Sequence, residues 1–223
     1  MFTGIIKETG KIRGVSEGNE CKLIEISCNQ ILKGLSAGDS VAVDGCCLTV
    51  KKLKPSGFIC DISYSTLEKT TFKNMGAGKI VNLESSLTPS AKIGGHFVSG
   101  HVDGTAEITG IEKKGNSYRI ELKIPEGLSP FLAPRGSVAL DGISLTVSEA
   151  DRGFFAVAII PHTFENTSLS RVKEGDKVNI EVDLLSRYIF RILSDTGIIN
   201  PVGAGNQNDD NLKEKLVEYG FIK

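Results

Sequence analysis

SVALDGISLTV, Ser137–Val147, repeats SVAVDGCCLTV, Ser40–Val50, with 8 of 11 positions identical at an offset of 97 residues. Each copy reads as a strand, a tight Asp-Gly turn and a second strand, a strong hairpin signal. The offset persists, because Thr66, Glu68 and Thr70 fall on Thr163, Glu165 and Thr167, and VNLE at Val81–Glu84 falls on VNIE at Val178–Glu181. At an offset of 96, Gly4, Ile6, Thr9 and Ile12 fall on Gly100, Val102, Thr105 and Ile108. The chain is an internal duplication.

A length of 223 residues leaves room for two domains of about 100 residues, each with its own core. Twenty-five glycines, many β-branched residues and closely spaced turn signals predict short strands throughout. Such sheets avoid exposed edges by closing on themselves, so the expected fold is all-β: two tandem homologous small closed β-barrels with a C-terminal α-helix. The expected domains are an N-terminal barrel over 1–97, a C-terminal barrel over 98–185, and an oligomerisation helix and tail over 186–223. Leu185, Tyr188, Ile189, Ile192 and Leu193 recur at helical spacing and predict the helix from about Ser186 to Asp195. TGIINPVGAGNQNDDN then reads as loose, and Leu212, Leu216, Val217 and Tyr219–Ile222 as a small helix or a disordered tail.

Twenty-six basic and 27 acidic residues leave a net charge of -1 and no basic stripe, which argues against a nucleic-acid partner. No apolar run approaches the length of a membrane-spanning helix, and MFTGIIKETG lacks the layout of an export signal. Five cysteines without paired CxxC spacing suit a reducing compartment, so a cytoplasmic location is expected.

Strand parity separates core from site. After the Asp44-Gly45 turn, Cys46, Leu48 and Val50 share one face while Cys47 and Thr49 share the other. In the second copy Ile143, Leu145 and Val147 form the apolar face, and Ser144 and Thr146 the polar one. Duplication kept for stability, or by ancestry alone, would explain the repeat without any site. Small hydrogen-bonding side chains in matching places instead suggest two equivalent polar pockets. GGHFVSGHVDG at the junction holds His96 and His101, and a spacing of five would put them on opposite faces of an unbroken strand, which disfavours a metal site. His162 stands where the first copy has Ser65, so the pockets are similar without being interchangeable.

MFTGII, SVAVDGCCLTV, GGHFVSGHVDG, SVALDGISLTV and the ESS to GGH link, in this order over about residues 1 to 190, resemble the riboflavin synthase alpha-chain family. The resemblance implies a homotrimer of two-barrel subunits that converts two molecules of 6,7-dimethyl-8-ribityllumazine into riboflavin and 5-amino-6-ribitylaminouracil, a transferase reaction without metal or organic cofactor. It places the active site where the first barrel of one subunit faces the second barrel of its neighbour. It also raises association with lumazine synthase, known for some members.

Carried over by position, the resemblance sets the first lumazine against Gly4, Ile5, Ile6, Cys47, Leu48, Thr49, Asp61, Ile62, Ser63, Tyr64, Ser65 and Thr66. The second meets Gly100, His101, Val102, Arg135, Ser144, Leu145, Thr146, Ala158, Ile159, Ile160, Pro161, His162 and Thr163. Arg135 stands where the family's lysine is expected. For the chemistry, His101 is a proton acceptor, Cys47, Ser144 and Ser40 are nucleophiles or water-positioning groups, and His96 supports them. Asp183 orients a partner or is a solvated acid, and Phe2 is expected to pack against a ring. The alternatives are a lumazine or flavin carrier, in which one copy would have lost its polar face, and a barrel scaffold with no small ligand.

Overall fold

The computed structural model describes residues 1–18, 21–151, 153–199 and 217. The expectation for Leu212, Leu216 and Tyr219–Ile222 lies outside them, and Val217 is helical and exposed. The first barrel comprises β1 (Glu8–Glu17), β2 (Cys21–Ser27), β3 (Ser40–Val43), β4 (Cys46–Lys54), β5 (Gly57–Ser63) and β6 (Ile80–Ser85). These close in the order β1-β2-β5-β4-β3-β6, all neighbours antiparallel, with the seam at β1 and β6, where Glu8 lies opposite Leu83. The second barrel repeats the topology with β7 (Gly104–Lys114), β8 (Ser117–Lys123), β9 (Ser137–Leu140), β10 (Ile143–Asp151), β11 (Phe154–Ile159) and β12 (Lys177–Val182). A short helix follows the fifth strand of each barrel, α1 (Tyr64–Lys69) and α2 (Pro161–Glu165).

Local sequence explains the closure. Asp44 and Gly45 have φ of 42° and 77°, and Asp141 and Gly142 of 44° and 79°, so both turns bend in the left-handed sense that matches strand twist. Bulges at Val50/Lys52 and Val147/Glu149 fall at equivalent places and add the bend that small barrels need. Cys46, Leu48 and Val50 enter the first core with Ile24, Phe58 and Leu83, while Ile143, Leu145 and Val147 enter the second with Ile120, Phe155 and Ile180. Burying a large apolar side chain contributes roughly 1.5–3 kcal/mol, so one-residue register slips, which would turn these rows to water, are strongly disfavoured.

The halves are joined across a local two-fold arrangement within the compact unit Met1–Asp183. Phe2 and Val98 exchange backbone hydrogen bonds of 2.7 and 3.1 Å and pack with Ala42 and Ala139. The Asp-Gly turns meet head-on, and a Cβ on Gly45 would lie 2.6 Å from the Gly142 nitrogen. Asn82 donates to the Asp141 carbonyl at 3.0 Å and Asn179 to that of Asp44 at 2.8 Å, so each barrel satisfies a buried carbonyl of the other.

Leu184–Asp195 forms α3, which begins two residues before the expected Ser186, and it belongs to a second unit, 184–223. Leu185, Tyr188, Ile189 and Ile192 are exposed along one stripe, while Arg191 pairs with Asp195 at 2.8 Å. No helix among the described residues is long and apolar enough to cross a membrane.

Candidate functional site

The outward faces of β4 and β10 carry the two candidate sites. Cys47 and Ser144 are half-buried and Thr49 and Thr146 exposed, as the alternation predicts. Ser40, opposite Thr49 on β3, is on the same outward face. Leu48, Ile62, Leu145 and Ile159 are buried in the barrel cores, which leaves their backbone rather than their side chains to meet a ligand.

The segments that cover these faces cross between the halves. The Ser144 N–H donates to the Gly4 carbonyl at 2.8 Å, and the Cys47 N–H donates to the Gly100 carbonyl at 2.9 Å. Ile6 packs on the second core and Val102 on the first. The segments are thus crossed relative to the grouping expected from sequence: Gly4–Ile6 runs against Ser144 and the second barrel, and Gly100–Val102 against Cys47 and the first. Close approach explains the two glycines, since a Cβ on Gly4 would lie 2.6 Å from the Ser144 Cβ, and one on Gly100 2.4 Å from the Cys47 Cβ.

His96 and His101 do not share a strand, because residues 96–101 form an irregular link with a single bridge at Val98. The His96 Nδ1 lies 2.7 Å from the Ser144 Oγ, and its backbone N–H donates to the Thr3 carbonyl at 3.2 Å. Burial lowers the pKa of His96 below the usual histidine value, and the Asp183 carboxylate partly opposes that shift. A neutral imidazole against a serine hydroxyl can take that hydroxyl's proton. His101 is exposed beside the Cys47 pocket, with its N–H on the Ser99 Oγ at 3.2 Å. Phe2 is fully buried among Val98, Ala42 and Ala139, so the expectation that it faces a ligand ring is set aside.

The ends of the pockets differ. In the first, Ser63 caps α1, and its Oγ lies 2.9 Å from both Ser65 Oγ and Thr66 Oγ1, a hydroxyl cluster next to exposed Tyr64. Asp61 is engaged by Lys51 at 2.9 Å and by the Cys21 thiol at 3.4 Å. In the second, Ala158 takes the place of Asp61 and borders a cavity of about 340 Å³ lined also by Ser117, Tyr118, Arg119 and Ser148. Ile160 precedes α2, with Pro161 in its first turn, and His162 and Thr163 follow. Tyr118 stacks on Phe164 with centroids 3.8 Å apart, closing that side. Arg135 is exposed in the turn before β9, with its N–H on the Val147 carbonyl at 2.7 Å. Among the described residues no group of three or more His, Cys, Asp or Glu side chains is arranged to hold a metal.

Comparison with known proteins bears on this doubled arrangement. Residues 3–86 and 99–183 each match the lumazine binding domain family. The chain is 42% identical over 193 residues to the riboflavin synthase of Bacillus subtilis, covering 86% of this chain and 90% of that one. It is 37% identical over 223 residues to the riboflavin synthase of Photobacterium leiognathi, covering 100% of both. The chain belongs to the riboflavin synthase family. The crystal structures of LumP complexed with 6,7-dimethyl-8-(1'-D-ribityl) lumazine and with riboflavin share the fold, with TM-scores of 0.74 and 0.76 at 24% identity, each covering 82% of this chain and 99% of LumP.

Within this riboflavin synthase fold, the repeated VNLE and VNIE hold polar residues whose task the repeat alone does not reveal. Asn82, Glu84, Asn179 and Glu181 are all buried on β6 and β12. Polar residues recurring at the same places in otherwise apolar strands were the signal, since buried polar groups persist when they are hydrogen-bonded.

Proposed function

We propose that the protein is a riboflavin synthase, a transferase that moves a four-carbon unit from one 6,7-dimethyl-8-ribityllumazine to a second and releases riboflavin and 5-amino-6-ribitylaminouracil. One observation carries this reading: two like strand faces each receive a crossing segment, which sets His96 against Ser144 and Gly100, next to His101, against Cys47. Two identical substrates call for two such pockets, and the products together contain every atom of the two substrates, so no outside oxidant or reductant is required.

In the second pocket His96 takes the proton of Ser144 Oγ, or of a water that Ser144 holds, as that oxygen adds to C7 of one lumazine. His101 accepts a proton from the 7-methyl group of the other, whose carbon then attacks the activated ring. Cys47 and Ser40 shape and polarise the first pocket, and Asp183 steadies the charge on His96. Holding both rings in reacting geometry supplies roughly 7–11 kcal/mol of the barrier reduction. The hydroxyls of Ser63, Ser65, Thr66 and Thr163 meet the ribityl chains, where each unpaired polar group would cost roughly 1–3 kcal/mol.

The subunits form a homotrimer through the exposed stripe of α3, and the first pocket of one subunit faces the second pocket of the next. We place the protein in the cytoplasm, in keeping with its five free thiols, and association with lumazine synthase belongs to the same proposal. A carrier with one degraded pocket is disfavoured, because Cys47/Thr49 and Ser144/Thr146 keep both outward faces polar. Incubation of the purified protein with 6,7-dimethyl-8-ribityllumazine alone tests the reading. One riboflavin should appear for every two lumazines consumed, whereas tight binding without consumption would identify a carrier.

A further inference from the structure

Glu84 and Glu181 stand apart from both pockets, buried on β6 and β12. Glu84 Oε1 accepts from the Thr3 N–H and the Thr3 hydroxyl at 2.7 Å each, and Oε2 accepts from the Gly4 N–H at 3.0 Å. Glu181 repeats the pattern, with Oε1 accepting from the Ser99 N–H at 2.6 Å and its hydroxyl at 2.7 Å, and Oε2 from the Gly100 N–H at 3.0 Å. A carboxylate that accepts three such bonds fixes a backbone bend firmly, because the donors would otherwise be left unpaired away from water.

The destination of each clamped segment gives the arrangement its meaning. Glu84 belongs to the first barrel, yet the Thr3-Gly4 bend that it holds supplies the carbonyls that accept from Ser144 and His96 at the second. Glu181 belongs to the second barrel, yet its Ser99-Gly100 bend supplies the carbonyl that accepts from Cys47 at the first and leads directly into His101. We propose that Glu84 and Glu181 are crossed positioning residues, each rooted in one barrel and setting the reactive side chains in the pocket of the other. Neither touches a ligand. Their action is to make each pocket depend on the integrity of the opposite barrel, so that neither is in working order alone. This rests on reading the paired pockets as the two lumazine sites.

Replacing either residue by glutamine keeps the size but turns one acceptor into an NH2 group, which cannot accept from the glycine or threonine/serine donors. With only three histidines in the chain, imidazole NMR signals of the full-length protein can be assigned by single replacements. Glu84→Gln should move the His96 signals and leave those of His101, and Glu181→Gln should do the reverse. In both, kcat should fall at least about tenfold, while KM for 6,7-dimethyl-8-ribityllumazine changes much less, as loosened orientation requires. If a glutamine variant does not fold, Thr3→Ala and Ser99→Ala, which each remove one clamp donor, must show the same crossed pattern in milder form. Uncrossed shifts, shifts of both histidines in every variant, or unchanged kcat in a folded variant of an active enzyme would overturn the proposal. Should the unaltered protein make no riboflavin, the functional reading fails while the imidazole signals still decide the positioning claim.

Discussion

Arg135 holds φ at 69°, the same left-handed region that Gly38 occupies at 94° at the equivalent place in the first copy. A residue with a side chain there carries about 1–2 kcal/mol of strain. Replacement by glycine relieves it but frees the unfolded chain at a cost of about 0.4–1 kcal/mol, so Arg135→Gly should leave stability unchanged or raise it by up to about 1.6 kcal/mol. If the strain serves to present a cation to the second lumazine, the same variant should raise KM several-fold, with Arg135→Lys intermediate because it keeps charge and loses the planar fork. Chemical denaturation together with steady-state kinetics checks both halves. Loss of stability without a change in KM would mean that Arg135 holds the turn and nothing else. The parity of Cys47, Thr49, Ser144 and Thr146 was legible at this scale because strand alternation is local. The strain at Arg135 was not, since arginine gives no sign of a positive φ.

At the scale of elements, the two Asp-Gly hairpins bring Asp44 and Asp141 together in the interior. Burial raises Asp44 from the usual 3.8 to about 6, although Lys79, 3.6 Å away, and the Asn82 N–H oppose the rise. Burial also raises Asp141 well above the carboxylate range, and the Asp44 charge adds to the rise. Raised folded values mean that the native state binds protons that the unfolded chain releases. The stabilisation is complete below the unfolded value of 3.8 and is lost as pH rises through about 6. Asp141→Asn keeps an acceptor for the Asn179 N–H and removes the like charge. It should therefore raise Tm by a few degrees near pH 7.5 and reduce the difference in Tm between pH 5 and pH 7.5 to about half or less. An unaltered pH dependence in the variant would show that the pair does not govern it. Sequence announced the hairpins through Asp-Gly and the repeat, while the crossing of Gly4 to Ser144 and of Gly100 to Cys47 stayed hidden, because nothing in a short segment states which of two similar barrels it will join.

At the scale of the whole molecule, the duplication was plain in the sequence, and the proposed homotrimer would give each of its two copies a partner. The stripe of Leu185, Tyr188, Ile189 and Ile192 on α3 is more apolar surface than a short helix exposes to water without a purpose. Ile189→Asp combined with Ile192→Asp sets charges in that stripe, at a cost well beyond what such helices contribute to association. Sedimentation should show a monomer, and riboflavin formation should fall by about a hundredfold or more while lumazine still binds. A fully active monomer would contradict the assembly. The most direct test of the central claim, that catalysis joins the first pocket of one subunit to the second pocket of another, is complementation. Cys47→Ala and Ser144→Ala chains, each purified alone as a weakly active trimer, are then co-expressed and purified as mixed trimers through two different tags. The account predicts that riboflavin formation returns to a substantial fraction of the unaltered rate, since some interfaces pair an intact first pocket with an intact second one. Mixed trimers no more active than their parents would contradict it.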